Sequence, residues 1–167
     1  NLTVDGGTIK LDGNYPVGSD NVALGNTALD SNVSGSTNVA LGSAALTALN
    51  SGNNNHAIGQ GALQSNVSGG ENVAIGRLAL QANTASSNTT IGHNAGYTST
   101  TGNYNTLVGR AAGLALTSGS ANTFVGGYDA STGGSGAEIT TGSNNTILGT
   151  YNGNQGGLDI RTSSNNI

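Results

Sequence analysis

The feature that most constrains this chain is a five-residue motif, Asn-x-x-aliphatic-Gly, that returns at nearly constant intervals. Its eight copies occupy residues 21–25, 38–42, 55–59, 72–76, 88–92, 105–109, 122–126 and 145–149. Successive copies are separated by 17, 17, 17, 16, 17, 17 and 23 residues. A fixed period of this length is typical of solenoids, in which each repeat packs only on its neighbours. The sequence therefore predicts a stack of eight coils of about 17 residues.

The composition of the repeats favours β-structure with tight turns. The 167 residues include 29 Gly and 24 Asn, and only 7% are charged. Gly and Asn favour turns, and the apolar residues never keep the period of a helix. Each coil is predicted to contain the motif strand, a turn, a second short strand that starts with a pair such as Ala28 and Leu29, and a return turn. We expect an all-β parallel β-roll.

The motif strand carries apolar residues on both of its faces. Its fourth position is always aliphatic and is predicted to line the coil core: Leu24, Leu41, Ile58, Ile75, Ile91, Val108, Val125 and Leu148. The third position points the other way in a strand. It is predicted to form a subunit interface: Ala23, Ala40, Ala57, Ala74, Leu107, Phe124 and Ile147. A strand that is apolar on both faces needs cover on both. Because the sequence offers no second layer, another copy of the chain is the expected cover.

Charge and motif content argue against several classes of function. The net charge is −4, and the four Lys and Arg residues form no cluster that would neutralise a nucleic acid. No apolar run is long enough to cross a membrane. The acids recur at no fixed position, so we expect no enzymatic activity, no cofactor and no metal site. Asp129 and Glu138, which flank a Gly/Ser-rich insertion, are the only pair to test as glycosidase carboxylates, and loop residues are the favoured interpretation.

One column of basic residues is a candidate ligand contact. Arg77, His93 and Arg110 occupy the same position in three successive coils. Stacked strands lie about 4.8 Å apart, so these side chains should form a short basic column. A solvated strip or intersubunit salt bridges is the favoured interpretation, and contact with an anion or a sugar acid is the alternative.

The second motif position carries two further candidates. His56 is there in the third coil, where a packed or solvated imidazole is favoured over a metal ligand. Thr89, Thr106, Thr123 and Thr146 form a ladder in the later coils. Such a ladder raises the possibility of ice binding, which we disfavour because these Thr share the strand face predicted to be buried.

Particular repeats resemble those of two families of surface fibres. The run Asn-Val-Ala-Leu-Gly at 21–25 and Asn-Val-Ala-Ile-Gly at 72–76 resemble head repeats of trimeric autotransporter adhesins. Asn-Thr-Thr-Ile-Gly at 88–92 and Asn-Ala-Gly-Tyr at 94–97 resemble related repeats in bacteriophage tail fibres. The resemblance covers residues 21–150. It implies a left-handed parallel β-roll in which three chains are intertwined or packed about one axis, although the adhesin repeats are usually shorter than these.

The predicted organisation has three parts. Residues 1–20 are a strand-like N-terminal segment, residues 21–150 the β-roll with an insertion near 129–141, and residues 151–167 an exit segment toward a downstream region. The flanks resemble the corresponding segments of phage fibres.

The expected function is that of a structural and adhesive segment of a homotrimeric fibre on a virion, most readily a phage tail fibre. The expected partners are further copies of the chain and a host-surface glycan or protein. The head of a bacterial trimeric adhesin, on a cell surface, is the alternative. A monomeric solenoid enzyme such as a polysaccharide depolymerase is a third class.

Overall fold

The computed structural model of this chain describes residues 18–131, 133–155 and 158–166. Over these ranges the chain is all-β, contains no helix and forms a parallel β-solenoid, which confirms the predicted class. The strands are β1 (Val22–Leu24), β2 (Val39–Leu41), β3 (His56–Ile58), β4 (Val73–Ile75), β5 (Thr89–Ile91), β6 (Thr106–Val108), β7 (Thr123–Val125), β8 (Tyr128–Asp129), β9 (Gly133–Gly134), β10 (Thr146–Leu148), β11 (Asn154–Gln155) and β12 (Leu158–Asp159). Most of the predicted N-terminal segment, residues 1–17, lies outside the described residues.

Eight of these strands form one parallel sheet in the order β1 to β7 and then β10. Equivalent motif residues pair directly, as Val22 does with Val39 and Ile58 with Ile75. Six turns of the solenoid connect β1 to β7, and a longer chain segment connects β7 to β10. The predicted number of eight coils is therefore approximate.

The first motif residue builds a continuous internal ladder of asparagines. The backbone N–H of Asn55 donates to Asn38 Oδ1 at 2.9 Å, and Asn55 Nδ2 donates to the carbonyl of Gly69 at 2.9 Å. This pattern repeats along the stack and satisfies the polar atoms of buried amides. It continues to Asn166, which donates to Asn145 Oδ1 from both its backbone N–H and its Nδ2. Part of the predicted exit segment thus stacks as a further rung.

Each coil was predicted to contain a second short strand after the motif strand. Between β1 and β7 this segment is instead a series of turns with no strand, so the prediction is wrong. Within it, the residue four positions after the motif Gly has positive φ, which is 58° at Leu29, 51° at Leu46 and 50° at Leu80. The residue two positions earlier does so as well, as at Thr27 and Ala44. Two left-handed residues within three positions curl the backbone, so the segment cannot extend into a strand.

The third and fourth motif positions are exchanged relative to the prediction: the third lies in the core and the fourth on the outer face. The predicted interface residues lie inside the coil: Ala40, Ala57, Ala74, Leu107 and Phe124 are fully buried, Ile147 is nearly so, and Ala23 is partly buried. The predicted core residues point outward: Leu24, Ile58, Ile75, Ile91 and Leu148 are 36–77% exposed, and Leu41, Val108 and Val125 are half-buried.

The physical reason is that the turns after each strand place a Leu or a Gly opposite the middle residue, which leaves the two flanking side chains outside. In three residues only the middle side chain points to one face, and the two flanking side chains point to the other. The second position, with His56 and four Thr, therefore shares the face of the fourth. Those polar residues fit an outer face, whereas the aliphatic residues beside them do not distinguish the two faces.

The insertion forms a short antiparallel hairpin, β8 with β9. The chain then returns to the core, where Ala137 and Ile139 are buried. Within the predicted insertion 129–141, only the first part is therefore a surface feature.

Candidate interaction surface

The outward side chains of the sheet form a nearly uncharged surface, which we call the ladder face. It consists of the fourth-position aliphatic ladder and the second-position ladder Val22, Val39, His56, Val73, Thr89, Thr106, Thr123 and Thr146. No Asp, Glu, Lys or Arg interrupts either ladder. Because monomeric proteins rarely expose large contiguous apolar patches, this surface is a candidate for contact with another macromolecule.

The two halves of the ladder face differ at the second position. Valine dominates from β1 to β4, and threonine occupies every rung from β5 onward. His56 is exposed between two half-buried valines, Val39 and Val73. The Thr ladder faces outward with its aliphatic neighbours, so the prediction that these Thr lie on a buried face is wrong.

The basic column lies just beyond the fourth-position ladder, one residue after each motif Gly. Arg77 Nη1 and His93 Nε2 are 3.1 Å apart, and Arg77 Nε donates to Gln60 Oε1 at 3.3 Å. Since guanidinium groups only donate, His93 Nε2 is the acceptor in this contact. The structure thus joins Arg77 to its neighbours on the rungs on both sides.

Arg110, the last member of the column, has an aromatic partner. Its guanidinium carbon is 4.0 Å from the centre of the Tyr128 ring, which is a cation–π contact. The hairpin begins after Gly126, the equivalent of Gly109, so β8 leaves the coil at the level where the next column residue would stand. Sequence reasoning treated the column and the insertion as separate features and did not pair these two residues.

The two carboxylates that flank the insertion have different neighbours. Asp129 Oδ1 accepts hydrogen bonds from the backbone N–H and the hydroxyl of Ser131, at 2.7 and 2.5 Å. Glu138 Oε1 accepts from Asn152 Nδ2 at 3.0 Å. These contacts are typical of carboxylates that hold a loop in place.

A third acidic residue forms an ion pair near the C-terminal end. Asp159 Oδ2 lies 2.7 Å from Arg161 Nη2. The hydrogen bond from the Arg161 side chain, followed by one from its backbone N–H, lowers the pKa of Asp159 to about 2. The same pair raises the pKa of Arg161.

Three further features of the described residues concern metal ions, cavities and membrane spans. No set of three or more His, Asp or Glu residues within them could hold a metal ion. A shallow polar recess of about 280 Å³ lies along the return turns, lined by Asn53, Asn54, Ser68, Gly70, Glu71 and Ser86. Across residues 18–131, 133–155 and 158–166 there is no helix that is long and apolar enough to cross a membrane.

Comparison with known proteins gave no match: no family model, no curated protein and no solved structure matches this chain.

Proposed function

We propose that this chain is a structural and adhesive segment of a homotrimeric surface fibre. The observation that supports it is the ladder face, an aliphatic ladder that runs outward along all eight rungs of the sheet. Covering this surface would remove apolar area from water, which is the main driving force for association of proteins. Another copy of the chain is the cover that we propose.

The geometry of the ladder favours a parallel cyclic assembly. Rotation about an axis parallel to the stack brings each rung beside the same rung of another copy, so aliphatic side chains would meet aliphatic side chains at every level. Closed cyclic symmetry also avoids open-ended growth. The resemblance to trimeric fibre repeats suggests three chains and a left-handed roll.

As a spacer, such an assembly would resist bending. Each chain is held by in-register strands and by the internal asparagine ladder. Eight rungs at the spacing of β-strands give a rod of about 35 Å. The repeats at 88–97 that resemble phage fibre sequences favour a tail fibre on a virion surface, with a bacterial adhesin head as the alternative.

The test is the oligomeric state, measured by light scattering of the full chain. We expect a mass of about 49 kDa, three times the 16.2 kDa of one chain. Ile75→Lys should reduce this mass to that of a monomer, because a charge would be buried in the ladder face without a partner.

The matched control is Val67→Lys, since Val67 is 49% exposed but lies on the return-turn side of the coil. It should leave the trimer intact. A wild-type chain that is monomeric at micromolar concentration would contradict the proposed assembly, and an equal effect of both lysines would contradict the role of the ladder face.

Ice binding is a second candidate, favoured by one specific observation. Four consecutive rungs, from β5 to β10 in the sheet, present Thr and an aliphatic residue outward on a regular surface. Thermal hysteresis of the wild-type chain, lost in Thr106→Lys, would support this function. A chain without thermal hysteresis would exclude it.

A further inference from the structure

We infer that the basic column and the hairpin beside it form one binding site for an acidic saccharide. We call this the column–hairpin site and define it by Gln60, Arg77, His93, Arg110 and Tyr128. The inference deepens the adhesive part of the proposed function by naming a ligand class. It does not depend on the number of chains in the assembly.

The cations of this site are unusual in their surroundings. The whole chain has only four Lys and Arg residues and a net charge of −4. Within the described residues no carboxylate lies within 4.0 Å of Arg77 or Arg110, whereas Arg161 is paired with Asp159. Both Arg77 and Arg110 are exposed. Guanidinium groups bind carboxylates through planar, charge-assisted hydrogen bonds, so a ligand carboxylate suits these two positions.

Neighbouring groups hold the two guanidinium groups in position before a ligand arrives. Arg77 is held between Gln60 and His93, and Arg110 lies over the ring of Tyr128. An ordered side chain loses less conformational entropy when it binds a ligand. The column is therefore better prepared for binding than two mobile surface arginines would be.

The hairpin adds the features that favour a sugar over a simple anion. Tyr128 remains 42% exposed beside Arg110, and its aromatic ring offers an apolar surface against which a sugar ring can pack. The Gln60 side-chain amide nitrogen can donate to neutral hydroxyl groups of a sugar. The two arginines are two rungs apart, about 10 Å at the strand spacing. This arrangement fits an extended chain that carries carboxylates at intervals.

The test is titration of the full chain with a uronic-acid oligosaccharide, followed by calorimetry. The neutral methyl ester of the same oligosaccharide serves as the matched probe. We expect binding of the acid and at least a tenfold weaker binding of the ester. Arg77→Gln and Arg110→Gln should each weaken binding about tenfold, the usual effect of losing a charge-assisted hydrogen bond. Tyr128→Ala should weaken it about fivefold, and Tyr128→Phe should bind as the wild type does.

Arg161→Gln is the control for charge, because it removes one positive charge outside the site. It should leave binding unchanged. Amide chemical shifts in the wild-type chain provide a measurement that needs no variant, and the largest changes should fall on the five site residues.

Three results would overturn the inference: equal binding of acid and ester, absence of binding by the wild type, or an equal loss in Arg161→Gln. Failure of the proposed assembly is recognised separately, by mass. A trimer that does not bind the acid contradicts only this inference, and a monomer that binds it contradicts only the trimer.

Discussion

In the first four coils a Leu of the turn segment fills the interior beside the sheet, whereas in the coils of β6 and β7 the motif strand itself fills it. In the first four, the third motif position is Ala and the buried residue four positions after the motif Gly is Leu, as with Ala57 and Leu63. In the later coils the third position is large and the opposite residue is Gly: Leu107 faces Gly113, and Phe124 packs on Gly136. A Cβ on Gly136 would lie only 2.4 Å from Phe124 Cδ2. The two positions therefore share one volume.

The two halves also differ in backbone strain at the position opposite the motif strand. The position opposite the motif strand has φ near 50–60° in both halves, at Leu63 and at Gly113. A left-handed residue with a side chain costs roughly 1–2 kcal/mol, which Gly avoids. In the first half a strained Leu is buried at this position. In the second half the position is Gly, and the larger side chain of the motif strand fills the space. The fold therefore fixes the interior volume but allows either the motif strand or the turn segment to fill it.

The boundary between the halves is where the described residues leave buried polar atoms without hydrogen-bond partners. The coil at β5 has Thr90 at the third position, Gly96 opposite it and Ser99 where other coils have Leu or Asn. Among the described residues, the buried side-chain atoms without a hydrogen-bond partner are Asn83 Nδ2, Thr90 Oγ1, Asn94 Oδ1 and Ser99 Oγ. The unpartnered Nδ2 of Asn83 is explained by the 16-residue spacing between the motifs at 72–76 and 88–92, one residue shorter than in the neighbouring coils. Asn66 Nδ2 donates to the carbonyl of Gly69 three residues on, and the shorter turn after Asn83 lacks the equivalent bond.

The largest expected effect comes from Phe124→Ala, which should destabilise the chain by about 3–5 kcal/mol through loss of a buried ring. If the motif strand and the turn segment share one volume, adding Gly136→Leu should restore part of this loss, because it recreates the pattern of the first half. Thermal and denaturant unfolding measure both variants. Gly136→Leu alone should be destabilising, since its side chain would meet the ring. A double variant no more stable than Phe124→Ala would contradict the shared volume.

The asparagine ladder should be equally important in both halves, unlike the core. Asn55→Ala and Asn105→Ala each leave a buried backbone N–H of the next rung without its acceptor. Each substitution should lower the free energy of unfolding by about 2–3 kcal/mol. Parallel denaturant titrations compare the two. A difference above about 1 kcal/mol between them would show that the halves differ in more than their core packing.

The boundary coil should tolerate an apolar replacement. Thr90→Val removes a buried hydroxyl that has no partner and keeps the shape of the side chain. We expect stabilisation by about 1 kcal/mol, read from the unfolding midpoint. Thr106→Val, on the ladder face, is the matched control and should change the stability of the isolated chain little. Destabilisation by Thr90→Val would mean that its hydroxyl is in fact satisfied.

The smallest effect should be confined to the C-terminal end of the second half. Asp159 has a lowered pKa of about 2 in the folded chain, against an ordinary value of 3.8. Its pair with Arg161 therefore stabilises the fold fully above pH 4, and this contribution is lost as the pH falls through 2. The unfolding midpoints of wild type and Asp159→Asn should differ slightly at neutral pH and converge between pH 4 and 2. A constant difference over that range would contradict the role of the ion pair.

Much of the architecture could be predicted from the repeat. The position of each motif strand and its register followed from the spacing of Asn-x-x-aliphatic-Gly, because equivalent residues of a solenoid stack on one another. The second strand was predicted wrongly because an Ala-Leu pair can occur both in a strand and in a left-handed turn. The sequence of the pair does not distinguish these two backbone conformations. The partnership of Arg110 with Tyr128 was also missed, because the hairpin brings together residues that belong to different rungs.

The spacing of the motif was enough to establish the period, the parallel stacking and the alignment of the asparagines, because a motif repeated at fixed intervals allows one register. Which face of the motif strand lies inside depends on how the rest of each coil folds against it. Leu24 and its equivalents are larger than the alanines beside them, and size alone suggested that they are core residues. The turns after each strand place a Leu or a Gly opposite the middle residue, so the interior has room for that residue alone. The larger aliphatic side chains are left outside, where they form the surface that we propose is covered by other copies of the chain.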